Sequence, residues 1–444
     1  MSYVPPHARR RSKGSTTTNA SQSTRTVEGA IKELAKETQR ANKKCRSGAE
    51  AAGVEAYENV LQSARELASR CARGAGAISD ADKAKVFLAE TALEFSSEIE
   101  RRVRRKPLSE NSRGEETAAN EQAMSLAIEA LGVFESVSDS GTLERSNGVA
   151  TALSRIAELE KDDARAAEAL RRAVSMYDVV STSIEGEGRS LGDALLALWN
   201  CADARLKLAE RASERKEDAI ALASYREALS IYERACGHCD ANHGDDLGGF
   251  LYDWGCSLTS YAQFLAKCKN LDEAATAADA SIEKLRSSSQ FSMGAVEPLN
   301  ALGDALQTKA EILQHVDTNS AEQNLRSAIE EAYGAALKLN GSDLNAHVGV
   351  GESNMALATY CVRRSDQAGA TQAYRVAWEA YIKALALSDA GDPGNCEERF
   401  GVVYNAACAA NRAGERDTAR VLLQQLLTCG GTTKDVIDAD ADLQ

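Results

Sequence analysis

The stretch VVYNAACAANRAGERDTARVLLQQLLTCGG, residues 402–431, contains two apolar segments that Gly414 separates. In the second segment, Ala419, Leu423 and Leu426 follow one another at spacings of four and three residues. Residues at these spacings lie on one face of an α-helix. Glycine adopts the left-handed backbone conformation with which many helices end, so Gly414 is suited to a turn between two helices. The stretch therefore predicts a pair of packed helices.

The same spacing of small and larger apolar residues recurs earlier in the chain. It occurs at Ala166, Leu170 and Ala173, at Ala221, Tyr225 and Ala228, and at Ala377, Tyr381 and Ala384. Segments before such triplets carry a matching pattern, as at Leu258, Tyr261, Ala262 and Leu265 and at Leu299, Leu302, Gly303 and Leu306. The recurrence predicts a series of helical pairs that stack on one another. We expect Ala228 and Ala384 to be buried between helices and Ala370 to lie in an exposed turn.

This pattern resembles the tetratricopeptide repeat (TPR), in which a helix–turn–helix unit recurs about every 34 residues. The resemblance covers about residues 149–437, and the spacing of the units departs from a strict period. It implies an all-α, right-handed superhelical solenoid of antiparallel helical hairpins. It also implies that the first helix of each hairpin lines a concave face, where such arrays bind proteins.

Composition favours the same fold class. Aromatic residues make up 5% of the chain, and none of the five prolines lies between residues 108 and 297. Proline interrupts helices, and abundant alanine stabilises them. A chain of 444 residues is too long for one compact core, but it suits an extended array.

Changes in composition along the chain predict five regions. Residues 1–26 are rich in Ser, Thr and Arg, which predicts a disordered tail. Residues 27–106 form an N-terminal helical region, and residues 107–118, which open with a proline, predict a linker or loop. Residues 119–437 form the TPR-like array. Residues 438–444 are the C-terminal end.

Charge restricts the class of partner. The net charge is −14, and the first 27 residues contribute five positive charges and no acid, so residues 28–444 carry −19. A surface this acidic repels phosphate backbones, which disfavours nucleic-acid binding by the folded body. The chain also has no apolar run long enough to span a membrane. We expect a protein or peptide partner, whose identity the sequence does not reveal.

The segment ACGHCDANHG, residues 235–244, has the composition of a chemical site. Its letters CGHC match the active-site tetrapeptide of protein disulfide isomerases, whose reactive cysteine lies at a helix N terminus. Cys236 instead follows a long helical pattern. Cys236, Cys239 and His243 would make half of a zinc site, but the second half is missing. We expect a turn between helices, with thiol-redox chemistry and zinc binding as the alternatives.

The N-terminal stretch SYVPPHARR, residues 2–10, resembles a Tyr-x-Pro-Pro-His-x-Arg string in the tails of DEAD-box RNA helicases that act in translation. There it is implicated in contacting the cap-binding initiation factor, and here Ala8 replaces the usual leucine. The alternative interpretation is an unstructured tail in which Tyr3 makes no such contact. The same acid-free tail has the composition of a transit peptide, which predicts an organelle-imported assembly factor.

Several compartments are compatible with the sequence. Eleven cysteines without regular spacing or a signal peptide favour a reducing compartment, and we expect the cytoplasm. A transit peptide at residues 1–26 would instead direct the chain to a plastid or mitochondrion. The basic cluster RRVRRK, residues 101–106, is compatible with the nucleus.

These observations predict a non-enzymatic scaffold or adaptor that binds a peptide or helix in a concave groove. The sequence contains no metalloprotease, hydrolase, phosphate-loop or kinase motif, so we predict no catalytic, cofactor-binding or metal-binding residue. Polar side chains beside the packing positions of the first helices can bond the main chain of an extended peptide. The predicted groove residues are Asn200, Lys207, Gln263, Asn300, Gln307 and Asn411.

Overall fold

The structure of the chain, a computed structural model, describes residues 26–46, 50–73, 78–105, 112–138, 143–187, 191–236, 244–391, 396–428, 430–440 and 442–443. All regular secondary structure in these residues is helical, which confirms the all-α class. Apart from Thr26, the predicted tail lies outside the described residues.

The helices are α1 (Val27–Arg46), α2 (Glu50–Arg73), α3 (Ile78–Arg105), α4 (Ser112–Glu135), α5 (Leu143–Leu159), α6 (Asp163–Glu187), α7 (Leu191–Glu214), α8 (Asp218–Cys236), α9 (Gly244–Lys267), α10 (Leu271–Phe291), α11 (Glu297–Leu313), α12 (Thr318–Ser327), a π-helical turn (Ala328–Tyr333), α13 (Gly334–Leu339), α14 (Leu344–Arg363), α15 (Gln367–Gly391), α16 (Cys396–Ala413), α17 (Arg416–Thr428) and α18 (Lys434–Ala439).

The helices pack as hairpins, each made of a first and a second helix. The pairs are α1 with α2, α3 with α4, α5 with α6, α7 with α8, α9 with α10, α11 with the continuous helix α12–π–α13, α14 with α15, and α16 with α17. Three residues, 268–270, join α9 to α10. A connection this short reverses the chain direction, so the two helices run antiparallel.

The same tight turn joins the two helices of four hairpins. Its left-handed residues, with φ between 59° and 91°, are Lys216, Lys269, Ser365 and Gly414. The amide of the following residue donates to a carbonyl oxygen five residues earlier, as from Asn270 to Leu265 at 2.9 Å. This bond satisfies a carbonyl that the helix end would otherwise leave without a partner. Gly414 thus lies between two helices, as predicted.

A buried alanine occupies the fourth position of six second helices. These alanines are Ala166, Ala221, Ala274, Ala321, Ala370 and Ala419. The prediction of Ala370 in an exposed turn is therefore wrong, because Ala370 is fully buried in one cluster with Ala358 and Tyr374. The turn ends at Asp366, whose carbonyl accepts the amide of Ala370 at 3.0 Å. The repeat register of α15 begins at Ala370, one heptad before the predicted triplet.

The predicted packing residues are nevertheless buried. Ala228 is 0% exposed and Ala384 is 1% exposed. In the four predicted triplets, all residues are buried except Leu423, which is half-buried. A heptad is close to two helical turns, so the residues one heptad beyond the true register of α15 lie on nearly the same face.

The N-terminal helices belong to the same stack. One continuous hydrophobic core runs from Ala41 of α1 to Leu258 of α9. The first two hairpins are therefore packed into the same core as the hairpins that follow them. Helix α4 begins at Ser112, inside the stretch 107–118 that we expected to be a linker or loop. Residues 106–111 lie outside the described residues.

First helices line one side of the stack. They contact the first helix of the next hairpin, from α1 with α3 through to α11 with α14, whereas second helices pack mainly against their own partner and the following first helix. The first helices therefore form one side of the stack, which we call the groove.

Candidate partner-binding groove

All six predicted groove residues lie on first helices. Asn200 and Lys207 are on α7, Gln263 is on α9, Asn300 and Gln307 are on α11, and Asn411 is on α16. Their side chains differ in what they contact. Three parts of the groove, formed by α3 to α7, by α11 with α14, and by α16, have different chemistry.

The first part is a cleft in which several of the charged side chains are paired. It has a volume of about 320 Å³ and is lined by Glu100, Ala157, Glu158, Leu170, Lys207, Glu210, Arg211 and Glu214. Lys207 forms ion pairs with Glu158 of α5 and, at 2.7 Å, with Asp203 of its own helix. Burial disfavours the charged form of Lys207, but Asp203 and Glu158 outweigh it and raise the pKa of the amine. The predicted cation is thus half-buried and paired with two carboxylates.

A buried arginine supports the same cleft. Arg155 of α5 pairs with Glu158 at 2.9 Å and with Glu100 of α3, and its Nη2 donates to the carbonyl oxygen of Ser96 at 2.9 Å. Burial raises the pKa of Glu158, but Lys207 and then Arg155 outweigh that effect and lower it. Each charge in this network has an opposite charge beside it. Removing one partner would leave an uncompensated charge among partly buried side chains.

Asp253, on α9, carries an unusual carboxyl group. Its Oδ2 accepts a hydrogen bond from the indole Nε1 of Trp199 at 2.9 Å. Burial, and next the charge of Asp203, raise the pKa of Asp253 to about 7. Near the predicted residue Asn200, the groove therefore contains an acid that titrates at neutral pH.

Gln263 is an exposed residue of α9. Its Nε2 donates to Oγ1 of Thr308 on α11 at 3.0 Å, so it links two successive hairpins. Asn200 is half-buried on α7.

The two predicted amides of α11 face α14. Nε2 of Gln307 donates to the carbonyl oxygen of Gly349 at 3.1 Å and to Oγ of Ser353 at 2.7 Å. Nδ2 of Asn300 donates to Oδ1 of Asp343 at 2.9 Å. Each amide therefore bonds a neighbouring hairpin of the same chain. The oxygen Oδ1 of Asn300 is buried and has no hydrogen-bond partner among the described residues.

Carboxylates lie beside these amides. Asp304 and Glu311 are on α11, and Glu352 is on α14. The hydroxyl of Tyr333 donates to Oδ1 of Asp304 at 2.6 Å and to Oε1 of Gln307 at 3.1 Å. Burial raises the pKa of all three carboxyl groups, and for Glu352 the charges of Asp304 and Glu311 raise it further.

Asn411 of α16 holds the C-terminal segment of the chain. Its Nδ2 donates to the main-chain carbonyl oxygen of Asp442 at 2.9 Å. Nε of Arg412 donates to Oδ1 of Asp442 at 2.8 Å, and the hydroxyl of Tyr404 donates to Oδ2 of Asp440 at 2.6 Å. The backbone of Asp440 is extended, with φ −83° and ψ 118°. Helix α16, a first helix, therefore binds an acidic, non-helical segment through hydrogen bonds to the main chain and the side chains of that segment.

Cys236 is the last residue of α8, which confirms that it lies at the C-terminal end of its helix. Residues 237–243, including Cys239 and His243, lie outside the described residues. Within the described part of the chain, no group of three or more His, Cys, Asp or Glu side chains could hold a metal ion. Burial raises the pKa of Cys201 to about 11 and of Cys256 and Cys408 to about 12. A thiol with a raised pKa is a poor nucleophile.

Sequence reasoning missed the acids of the groove. Asn300, Asp304, Gln307 and Glu311 follow one another at helical spacings of four and three, so they share one face of α11. That spacing was a readable signal for Asp304 and Glu311. No comparable signal marked Asp253, because its raised pKa comes from the helices packed around it.

Several solved structures show a limited similarity to this chain. The apo form of RapI is 12% identical, with 89% of this chain and 86% of that chain covered and a TM-score of 0.46. The S. pombe nuclear import adaptor Nro1 is 14% identical, with 69% and 94% covered and a TM-score of 0.44. The C-terminal part of a TPR repeat-containing protein from Cytophaga hutchinsonii is 10% identical, with 79% and 98% covered and a TM-score of 0.38.

No protein-family model and no curated protein matches the sequence. In the described residues, no helix is long and apolar enough to cross a membrane. The fold class therefore rests on the helices, on the recurring turn and on the repeated buried alanine. By these features the chain is an all-α solenoid of TPR-like helical hairpins.

Proposed function

We propose that this protein is a non-enzymatic scaffold or adaptor that binds an extended segment of a protein partner in the groove. One observation carries the proposal: Asn411, Arg412 and Tyr404 of a first helix already bind Asp440 and Asp442 of this chain. An amide that bonds a main-chain carbonyl recognises a peptide without regard to its side chains. On an earlier first helix, the exposed amide of Gln263 would offer a partner the same kind of hydrogen-bonding group.

Some polar groups of the groove are hydrogen-bonded within the chain, and others are exposed. The exposed groups supply hydrogen-bonding capacity for such a partner. Gln263 is exposed and bonded to one neighbour, Thr308. An amide has more hydrogen-bonding capacity than one bond uses. A segment that lies along the first helices would bury these groups while replacing their bonds to water.

Site-specific photo-crosslinking tests this proposal. A photoreactive side chain at Gln263, on the groove, is compared with one at Thr276, an exposed residue of the adjacent second helix α10. After irradiation in native lysate, we expect a discrete crosslinked protein from position 263 and none from position 276. Equal crosslinking at both positions, or crosslinking at 276 alone, would place partners outside the groove and refute the proposal.

The rival thiol-redox or zinc function has its own test. Metal analysis of protein purified without chelators and an insulin-reduction assay are run on the wild type and on Cys236→Ser. We expect neither stoichiometric zinc nor turnover. Either result, if lost in the variant, would replace the scaffold by a chemical site at residues 235–244. N-terminal sequencing of the mature protein tests the transit-peptide alternative, for which a start near Val27 is expected.

A further inference from the structure

The C-terminal segment, residues 430–440 and 442–443, lies along one face of α16. Four residues of α16 share that face, at helical spacings of four, four and three: Phe400, Tyr404, Cys408 and Asn411. The segment contacts the face in the same order. A Cβ atom at Gly431 would lie 2.6 Å from the ring of Phe400, and Asp440 and Asp442 are bonded farther along the helix. The segment therefore covers part of the groove.

Hydrogen bonds and one ion pair attach the end of this segment to α16. None of the described residues of the segment is buried, and Val436 is exposed. Helix α18, which lies within the segment, has no buried residue. Burial of apolar surface supplies most of the free energy that holds a structural element in place. A segment without such burial detaches at a small cost in free energy.

The bonds at this face select acidic side chains. Nε of Arg412 donates to Oδ1 of Asp442 at 2.8 Å, and this bond raises the pKa of the guanidinium group. The hydroxyl of Tyr404 donates to Oδ2 of Asp440 at 2.6 Å. Hydrogen bonds to an ionised carboxylate are about twice as strong as those between neutral groups. The amide of Asn411 adds a bond to the main chain, so the face matches an extended segment with two acids two residues apart.

Arg412 differs from the cations in the first part of the groove. Arg155 is 8% exposed and pairs with carboxylates of α3 and α5, which belong to the hydrophobic core of the stack. The side chain of Arg412 is 42% exposed, and its carboxylate partner Asp442 belongs to the weakly held segment. When the segment detaches, the charge of Arg412 becomes accessible to another carboxylate.

We propose that this face of α16 is a binding site for an extended, acidic segment of a protein partner, and that the C-terminal segment occupies it as an autoinhibitory ligand in the free protein. This inference rests on the proposed function and adds the chemistry of the partner and its regulation. A short tether holds Asp440 and Asp442 at an effective concentration on the order of mM. A partner displaces them when its segment continues along earlier first helices and gains further bonds there.

Binding of a peptide by the full chain tests the assignment. The probe is a fluorescein-labelled peptide with the sequence of residues 438–444, DADADLQ, and its binding is followed by fluorescence anisotropy. The comparison peptide, NANANLQ, replaces each Asp with Asn and keeps the main chain. In the wild type, the segment of the chain itself competes with both peptides.

The open variant is Asp440→Ala with Asp442→Ala, which removes the two acids that bond α16. The matched control, Glu330→Ala with Glu379→Ala, removes the same charge from exposed positions on second helices. A third variant adds Arg412→Ala to the open variant. Because the segment has no buried residue, all three should melt close to the wild type, so differences in binding cannot be attributed to unfolding.

We expect the open variant to bind DADADLQ at least about tenfold more tightly than the wild type and the control do, a difference of about 1.4 kcal/mol. Addition of Arg412→Ala should remove this gain. We expect NANANLQ to bind the open variant at least about tenfold more weakly than DADADLQ does.

Equal affinity of the open variant and the control for DADADLQ, or binding by neither, would overturn the inference and leave the segment as a structural cap. Equal binding of the two peptides by the open variant would show that acids are not recognised, which also contradicts the assignment. Crosslinking at Gln263 reports on the scaffold separately. If it succeeded while the peptide experiment failed, only the site on α16 would be wrong.

Discussion

The ring of Tyr333 lies directly against the Cα atom of Gly303. A Cβ atom at Gly303 would lie 2.3 Å from Cζ of Tyr333, and one at Gly349 would also lie 2.3 Å from it. The tyrosine that bonds Asp304 is thus packed between a glycine of α11 and a glycine of α14. No other residue type leaves room for the ring at either position.

Gly303→Ala should therefore destabilise the protein. The added methyl group overlaps a ring that two helices confine, and such overpacking costs about 1–3 kcal/mol. Gly132→Ala is the control, because a Cβ there meets nothing within 4 Å. That change should stabilise α4 by up to about 1 kcal/mol through helix propensity. Urea denaturation measures both, and a Gly303→Ala variant as stable as Gly132→Ala would disprove the packing of Tyr333.

The left-handed turn residues predict two opposite changes. Lys269 has φ 62° and Gly414 has φ 91°. A side chain in this conformation costs about 1–2 kcal/mol, and glycine has no such cost. Lys269→Gly should raise the free energy of unfolding by about 0.5–1 kcal/mol, and Gly414→Ala should lower it by about 1 kcal/mol. If thermal melting moved in the same direction for both, the two turns would not share one geometry.

Ala384→Trp should loosen the C-terminal hairpins first. Ala384 is buried in α15, and a bulky side chain there costs about 1–3 kcal/mol where the core can adjust. In a stack of repeats, the loss falls on one unit and its neighbours. Hydrogen exchange should become faster from α14 onward, while α8 and earlier helices remain protected.

The matched control for this experiment is Ala368→Trp, at an exposed position in the first turn of the same helix. It should change stability by less than about 0.5 kcal/mol. Ala370→Trp, at a buried position, should cost about as much as Ala384→Trp. Wild-type exchange in the Ala384→Trp variant would show that α15 does not pack as described.

Asp253 predicts a dependence of stability on pH. Its pKa is about 7 in the folded protein and 3.8 ordinarily, so between these values the folded state holds a proton that the unfolded chain has released. Stability should therefore fall as pH rises through this interval. Asp253→Asn keeps an acceptor for Trp199 and removes the titration. The free energy of unfolding of Asp253→Asn, taken relative to that of the wild type, should rise by on the order of 2–4 kcal/mol from about pH 5 to about pH 8.

Chemical denaturation of both proteins at the two pH values provides the measurement. Glu210, Asp304, Glu311 and Glu352 also have raised pKa values and stay in the variant, so only the difference between the two proteins is informative. Parallel pH profiles would mean that Asp253 is ionised throughout.

Much of the fold was predictable because the signal is local. Ala221, Tyr225 and Ala228 share one helical face whatever surrounds them, and all three are buried. The helix ends at Gly414 and Cys236 were also predictable from neighbouring residues. The turns at Lys216, Lys269 and Ser365 were not, since these residues are uncommon in the left-handed conformation and carry no turn signal.

The candidate site was less predictable. Sequence patterns placed the six polar groove residues on first helices, but they could not show which would find partners within the chain. Lys207 and Gln307 bond neighbouring hairpins. Asp304 and Glu352, which form no ion pair within the described residues, were not singled out. Whether a polar side chain is committed or open depends on the helix that packs opposite it, which lies 40 or more residues away.

The sequence by itself determined that this protein is a stack of helical pairs, because the spacing of small and apolar residues acts within each helix. The tertiary structure decided the register of α15, where Ala370, Tyr374 and Ala377 rather than the next heptad match the other repeats. Seven residues bring a helix almost back to the same face, so both registers satisfy the pattern along the chain. Only contact with the preceding and following helices distinguishes them, and the same contacts decide which charges of the groove are paired within the described chain.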